Sequence, residues 1–143
     1  MLSNSSKYAL KAVLFLAINS DEDKKVMAKH IAELINVPQA YIAKLLQELV
    51  KQNIISSLKG PKGGFYLNKS NRQEPVIKII KAIDGEKRLV NCLLSLEKCN
   101  EEKPCPLHKI ANPTRSKLIH NLKSKSINDL ALDIKNGDSF LPL

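Results

Sequence analysis

The chain has 143 residues and 43% hydrophobic content, with 23 Lys plus Arg against 14 Asp plus Glu for a formal charge of +9. That length suits one compact domain, and the apolar content can build a core without a disulfide framework. The longest apolar run, 12–18, is far below the ~20 residues a spanning helix needs, which excludes a membrane-embedded chain, while the basic excess favours a polyanionic partner.

In chain order, Ser5 or Ser6 can cap a helix through 8–18, apolar around most of its circumference and therefore buried. Lys11 interrupts its apolar run, and Asp21-Glu22-Asp23 stands where a signal-peptide cleavage site would need small residues. A buried first helix in a cytoplasmic protein is the reading. Met27, Ile31, Leu34 and Ile35 have the spacing of one helical face, and Pro38 fits the first turn of the next helix. Residues 39–52 place Ile42, Leu45, Leu46, Leu49 and Val50 on one side, with Gln39, Ala40, Ala43, Lys44, Gln47 and Lys51 on the other. Ile54-Ile55, the Gly-rich turn after Lys59, and Phe65-Tyr66-Leu67 predict a β-hairpin.

Past Pro75, residues 76–84 predict a short helix stopped by Gly85. Residues 89–106 read as a cysteine-bearing loop, and 107–122 as a long helix that Pro113 must kink or restart. Ser126 can cap a last helix over 127–134. The expected fold is mainly α with a small β-hairpin: a winged helix-turn-helix plus a C-terminal dimerisation helix. Within one domain, 1–85 would be the DNA-binding part, 86–106 the cysteine loop and 107–143 the dimerisation helix and C-terminal segment.

Two short helices, a tight turn and a hairpin make a winged helix-turn-helix, whose second helix enters the major groove of double-stranded DNA. Gln39 and Lys44 lie where amides and ammonium groups meet base edges or phosphates, and Lys59 and Lys62 stand beside glycines at the hairpin tip. The bland alternative is a helical hairpin and a surface turn without a ligand. The carboxylates form no acid/base pair, and no Ser/His/Asp set or phosphate-cradling loop occurs, so the chain is not expected to be an enzyme.

Lys7–Ala17, Ile31-Ala-Glu-Leu34, Val37-Pro-Gln-Ala-Tyr-Ile-Ala-Lys-Leu-Leu46, Ser57-Leu-Lys-Gly-Pro-Lys-Gly-Gly-Phe-Tyr-Leu67 and Ile80-Lys-Ala-Ile-Asp-Gly85 together resemble a known family. It is the winged-helix repressor family typified by the iron–sulfur regulator IscR, the nitric-oxide sensor NsrR and the cysteine-metabolism repressor CymR. The resemblance implies a DNA-binding repressor, and pairing of the 107–122 helix with a second copy would place two recognition helices on a palindromic operator. It also implies a recognition helix starting near Gln39, with wing residues Ser57, Lys59, Gly60 and Gly64 at the backbone or minor groove; with Tyr41, Lys44 and Lys62 these are the candidate DNA contacts. Ala43 stands where IscR-like members carry an acidic side chain that helps select bases, so their operator preference does not transfer.

All three cysteines, Cys92, Cys99 and Cys105, fall in one polar loop, with His108 three residues on. Thiolates are iron–sulfur ligands, Cys3His is also a zinc set, and three unliganded thiols are the plain alternative. The resemblance implies a cluster that senses iron–sulfur, redox or nitric-oxide status, because members with those roles carry three cysteines in this loop. Lys7 occupies the place of the N-terminal carboxylate used by NsrR-like members, which favours the IscR-like set of Cys92, Cys99, Cys105 and His108. A 2Fe-2S cluster is the favoured form, with 4Fe-4S or zinc as alternatives, and an aerobic preparation need not retain it. The first cysteine spacing is one residue longer than in typical IscR-like loops, leaving cluster type and fourth ligand open. Leu107, Ile110, Leu118, Ile119 and Leu122 are expected to pair with a second copy.

Overall fold

A computed structural model describes residues 2–94 and 100–143. Its axis is α1 (Asn4–Asn19), in which Ala9, Ala12, Val13, Leu16 and Ala17 are all fully buried. With apolar side chains almost all round, this helix can only be satisfied by neighbours on several sides. Helices α5 (Ile77–Asp84), α7 (Ile127–Lys135), α3 (Gln39–Lys51) and α2 (Ala28–Ile35) supply them. The cap of α1 is Ser3 rather than Ser5 or Ser6: its hydroxyl accepts from the Ser6 N–H at 3.0 Å. Both the Ser3 hydroxyl and its N–H also donate to the Asp84 carboxylate, which ties the start of α1 to the end of α5. Burial works against the charge of Asp84, but the Ser3 and Ser6 hydrogen bonds and nearby Arg88 hold its pKa below the ordinary 3.8.

The main core joins α1 to Ile31, Ile35, Ile42, Leu46, Leu49, Ile54, Ile55, Leu67, Ile79 and Ile127. Strands β1 (Ser56–Leu58) and β2 (Gly64–Tyr66) pair antiparallel with Ser57 opposite Phe65. Val26 adds a short bridge on the other side of β2, exchanging backbone hydrogen bonds of 2.9 and 2.8 Å with Phe65. The fold is therefore mostly helical with one two-stranded hairpin, as the sequence pattern predicts.

A single turn, α4 (Lys69–Arg72), was not expected. It is polar and too short to show a hydrophobic period; its signal is the Asn68/Asn71 pair, which caps reciprocally. Asn71 is buried and used at every polar atom. Its amide donates to the Asn53 carbonyl at 3.0 Å, and its Oδ1 accepts from the Ser56 hydroxyl at 2.8 Å and from the Asn68 N–H at 3.0 Å. This one side chain joins the end of α3, the first wing strand and α4. Next to it, the Arg72 guanidinium donates to the Ala17 and Ser20 carbonyls, filling acceptors that the C-terminus of α1 leaves open.

Helix α6 (His108–Ser124) runs through Pro113 as one element. Pro113 lies in the second turn, so the missing N–H costs a single bond near the helix start and α6 does not restart there. The following turn is fixed by an antiparallel bridge of Pro75 with Ser126, the Val76 N–H donating to Lys125 O and the Ile127 N–H to Glu74 O, each at 2.9 Å. Ser126 caps α7 as expected and forms a reciprocal box with Asp129, whose pKa those hydrogen bonds lower. No described helix is long and apolar enough to cross a membrane.

Replacing Asn71 by Ala removes the acceptor of the Ser56 O–H and the Asn68 N–H and the donor to the Asn53 carbonyl, while Asn68 Nδ2 still reaches the Ser56 oxygen. The expected loss is about 2–3 kcal/mol, at ~1–3 kcal/mol for each partner left unsatisfied. Urea unfolding measures it, and an unchanged midpoint would show that Asn71 does not clamp the wing.

Candidate nucleic-acid interface and sulfur recess

The α2–α3 connection turns on Asn36, held in the left-handed region at φ 59°, with the Val37 N–H returning to Ala32 O at 3.1 Å. Pro38 then caps α3 and accepts from the Tyr41 and Ile42 N–H groups. Because Ile42, Leu46 and Leu49 are drawn into the core, the opposite face of α3 is left to water. It carries Gln39, Ala40, Lys44, Gln47 and Lys51, all exposed. Tyr41 differs from its neighbours. Its hydroxyl lies 2.5 Å from the Ser5 hydroxyl and its ring stands edge-on to Tyr8 at 6.0 Å, so it braces α3 against the start of α1.

The wing presents Ser57, Lys59, Gly60 and Lys62 to solvent beside that face. Gln47 and Val50 of α3 and Ser57, Leu58, Lys59, Gly64 and Phe65 of the wing line one open groove of about 400 Å³. The groove thus brings the wing candidates Ser57, Lys59 and Gly64 beside Gln47 and Val50 of α3, whereas Gln39, Tyr41 and Lys44 do not line it. Gly64 has a further role: its φ is +144°, and a Cβ there would lie 2.7 Å from the Val26 carbonyl oxygen. The close approach of β2 to Val26 therefore requires glycine whatever the wing touches. At the root of the wing, the Leu67 N–H donates to the Ser20 hydroxyl at 3.2 Å, and that hydroxyl donates to Leu16 O at 2.6 Å.

Past α5, a turn closed by the Val90 and Asn91 N–H groups on Lys87 O delivers Cys92 to the foot of α6. Cys105 sits just before that helix, its carbonyl accepting from the His108 N–H at 3.0 Å. The two sulfurs are 3.6 Å apart. They share a tight recess with Leu93, Leu107, His108, Ala111 and Arg115. Cys99 lies outside the described residues. Among the described residues no three potential ligands converge, so His108 lines the recess without completing a three-ligand set with the two thiols.

Arg115 was not singled out from the sequence. It follows His108 by seven residues and Ala111 by four, so all three lie on one stripe of α6 facing the sulfurs. That spacing is a legible signal, but only once the loop is known to fold back onto α6. Further along the same stripe, Ile119 and Leu122 pack on Ile77, Ile80 and Leu89 of their own chain. Two of the five residues expected at a dimer contact are therefore committed internally, whereas Ile110, half a turn away, is 72% exposed.

The family model Rrf2, described as "Iron-dependent Transcriptional regulator", matches residues 2–133. A protein of Aquifex aeolicus (strain VF5) described as an HTH-type transcriptional regulator is 33% identical over 132 residues, covering 91% of this chain and 90% of its own. The HTH-type transcriptional regulator IscR of Photorhabdus laumondii is 28% identical over 90% of this chain and 77% of that protein. Among solved structures, CymR, the global cysteine regulator of B. subtilis, superposes with a TM-score of 0.72 at 22% identity, covering 92% of this chain and 95% of that one. At that identity the likeness speaks for the winged-helix fold alone.

Proposed function

This chain belongs to the Rrf2 family of transcriptional regulators, which are not enzymes, and we propose that it is a cytoplasmic, homodimeric repressor of palindromic operators that reports iron–sulfur, redox or nitric-oxide status through a cysteine-held cluster. In this reading Gln39 and Lys44 meet base edges and phosphates in the major groove, and Ser57, Lys59, Gly60 and Lys62 meet the backbone beside it. Tyr41 acts from behind by fixing the pitch of α3 on α1, and Gly64 by letting the wing close on Val26. The outward face of α6, where Ile110 is exposed, is offered to the second copy, and the two-fold axis then sets the half-site spacing.

The observation that carries the sensing half is the Cys92–Cys105 pair. Two thiolates bound at ~2.3 Å to one tetrahedral metal centre lie about 3.8 Å apart, so 3.6 Å fits a shared iron or zinc. Cys92 and Cys105 would hold it, with Cys99 and His108 as the remaining ligands. A 2Fe-2S cluster held there supplies a one-electron couple and a target for oxygen or nitric oxide. The chain's own part is to clamp that site: Cys105 stands just before α6, its carbonyl accepting from the His108 N–H, and Cys92 follows the turn after α5. A Cys3His zinc site fits the same sulfur spacing, which makes metal identity the deciding observation.

Purified anaerobically, the protein should be brown, absorb in the visible, and contain iron and acid-labile sulfide; Cys92→Ser and Cys105→Ser should each lose the colour. A colourless protein with stoichiometric zinc would remove cluster sensing and leave the regulator. For the DNA half, Lys59→Ala and Lys62→Ala should weaken binding to every duplex alike, each lowering the salt slope by about 1. Gln39→Ala should instead change preference at one position of the half-site by about 1–3 kcal/mol. Binding that is indifferent to salt would contradict the proposed phosphate contacts.

A further inference from the structure

Among the described residues the cysteines are Cys92 and Cys105; neither is in a disulfide, and both are half-buried. They are 13 positions apart in the chain, yet their sulfurs stand 3.6 Å from each other. Each is carried by its own hydrogen-bonded turn: Cys92 follows the turn closed on Lys87 O, and the Cys105 carbonyl holds the His108 N–H. The fold therefore sets the contact from both sides. The sulfurs of a disulfide lie ~2.05 Å apart, so about 1.5 Å of closure separates this pair from a bond. Cys92 also has a second side. It lines an open surface depression of about 220 Å³ with Arg88, Asn91 and Arg115, which Cys105 does not line. One sulfur thus meets solvent there while the other stands behind it, the arrangement that an attacking and a resolving thiol require. The guanidinium groups lining the depression are donors suited to an oxygen that leaves with the electrons of a broken O–O bond.

We propose that Cys92 and Cys105 form a redox-active dithiol that a hydroperoxide closes to an intramolecular disulfide, with Cys92 attacking and Cys105 resolving. Cys92 Sγ attacks one oxygen of the hydroperoxide. The S–O bond forms, the O–O bond breaks, and the leaving oxygen takes the thiol proton and departs as water or an alcohol. Cys105 Sγ then attacks the sulfur of the Cys92 sulfenic acid. The S–S bond forms, the S–O bond breaks, and the departing hydroxide takes the Cys105 proton and leaves as water. The two thiols together lose two electrons, and the peroxide gains them. The new bond ties the turn after α5 covalently to the foot of α6, and an external dithiol reverses it by exchange. This chemistry belongs to the metal-free chain and does not rest on the cluster reading, since a metal held by the same sulfurs would shield them.

The experiment takes the full-length protein, reduced, stripped of metal with a chelator and freed of both reagents under nitrogen. It is given one equivalent of hydrogen peroxide and quenched with a maleimide; intact mass and peptide mapping then count and locate the remaining thiols. The expected result is loss of two of the three thiols, a crosslink joining the Cys92 and Cys105 peptides, and recovery of both thiols with dithiothreitol. Cys105→Ser should lose the crosslink and stop at a sulfenic acid that dimedone traps on Cys92. Cys92→Ser should lose both the crosslink and that adduct. Three intact thiols after peroxide would overturn the inference, as would a crosslink made through Cys99 or to a second chain. A dimedone adduct on Cys105 in place of Cys92 would overturn the assigned order of attack. The colour of the metal-bearing protein is read separately. A colourless protein that forms this disulfide removes the cluster reading alone, and a brown one whose stripped thiols do not pair removes this inference alone.

Discussion

Ile119 and Leu122 lie on the face of α6 that also carries His108, Ala111 and Arg115, and they pack on Ile77, Ile80 and Leu89. One rigid rod thus has its first turns against the cysteines and its later turns against α5. Helix α5 in turn contacts α1 and α3. A change at the sulfur recess that shifts α6 would therefore be felt by α5, which packs on the helix proposed to enter DNA. Burying Ile, Leu and Val side chains at ~1.5–3 kcal/mol each makes such a path stiff. A stiff path is what lets a small change at one end bias an arrangement at the other.

The DNA-facing unit is held by a different means. Its apolar residues, Ile42, Leu46 and Leu49, fix α3 on the core, but the wing is too thin to have a core of its own. Polar ties do that work instead. Asn71 binds α3 to β1, the Ser20 hydroxyl links the wing root to the end of α1, and Arg72 closes the carbonyls there. Gly64 allows β2 to lie against Val26. Such buried polar groups are satisfied only in one geometry, so they specify the angle between wing and α3 more sharply than apolar contact can.

The long periodic elements were legible from residue pattern: the all-round apolar α1, the one-sided α3, the Gly-punctuated hairpin and the Ser126-capped α7 each have a local cause. Their exposed faces followed, which is why Gln39, Lys44, Lys59 and Lys62 emerge together. What the pattern hid depends on contacts distant in sequence. The one-turn α4 has no period to detect, and the value of Asn71 lies in Asn53 and Ser56, 18 and 15 residues away. Pro113 looked like a break, yet only one hydrogen bond near a helix start is at stake. Arg115 looked like one more cation on a basic chain until the cysteine turn was placed against it. Ile119 and Leu122 looked unpartnered because Leu89, reached through a turn, is what covers them.

The account's central claim is that the state of the cysteine site and the grip on DNA are two readings of one rigid connection through α6. In thermodynamic terms the loaded and empty protein must then differ in operator affinity, by a coupling of typically 1–3 kcal/mol. The direct measurement is an anaerobic titration of a palindromic operator at fixed salt with protein of known cluster content, repeated after the cluster is removed. The account predicts affinities that differ by about fivefold or more; equal affinities of the two forms for every operator would contradict it.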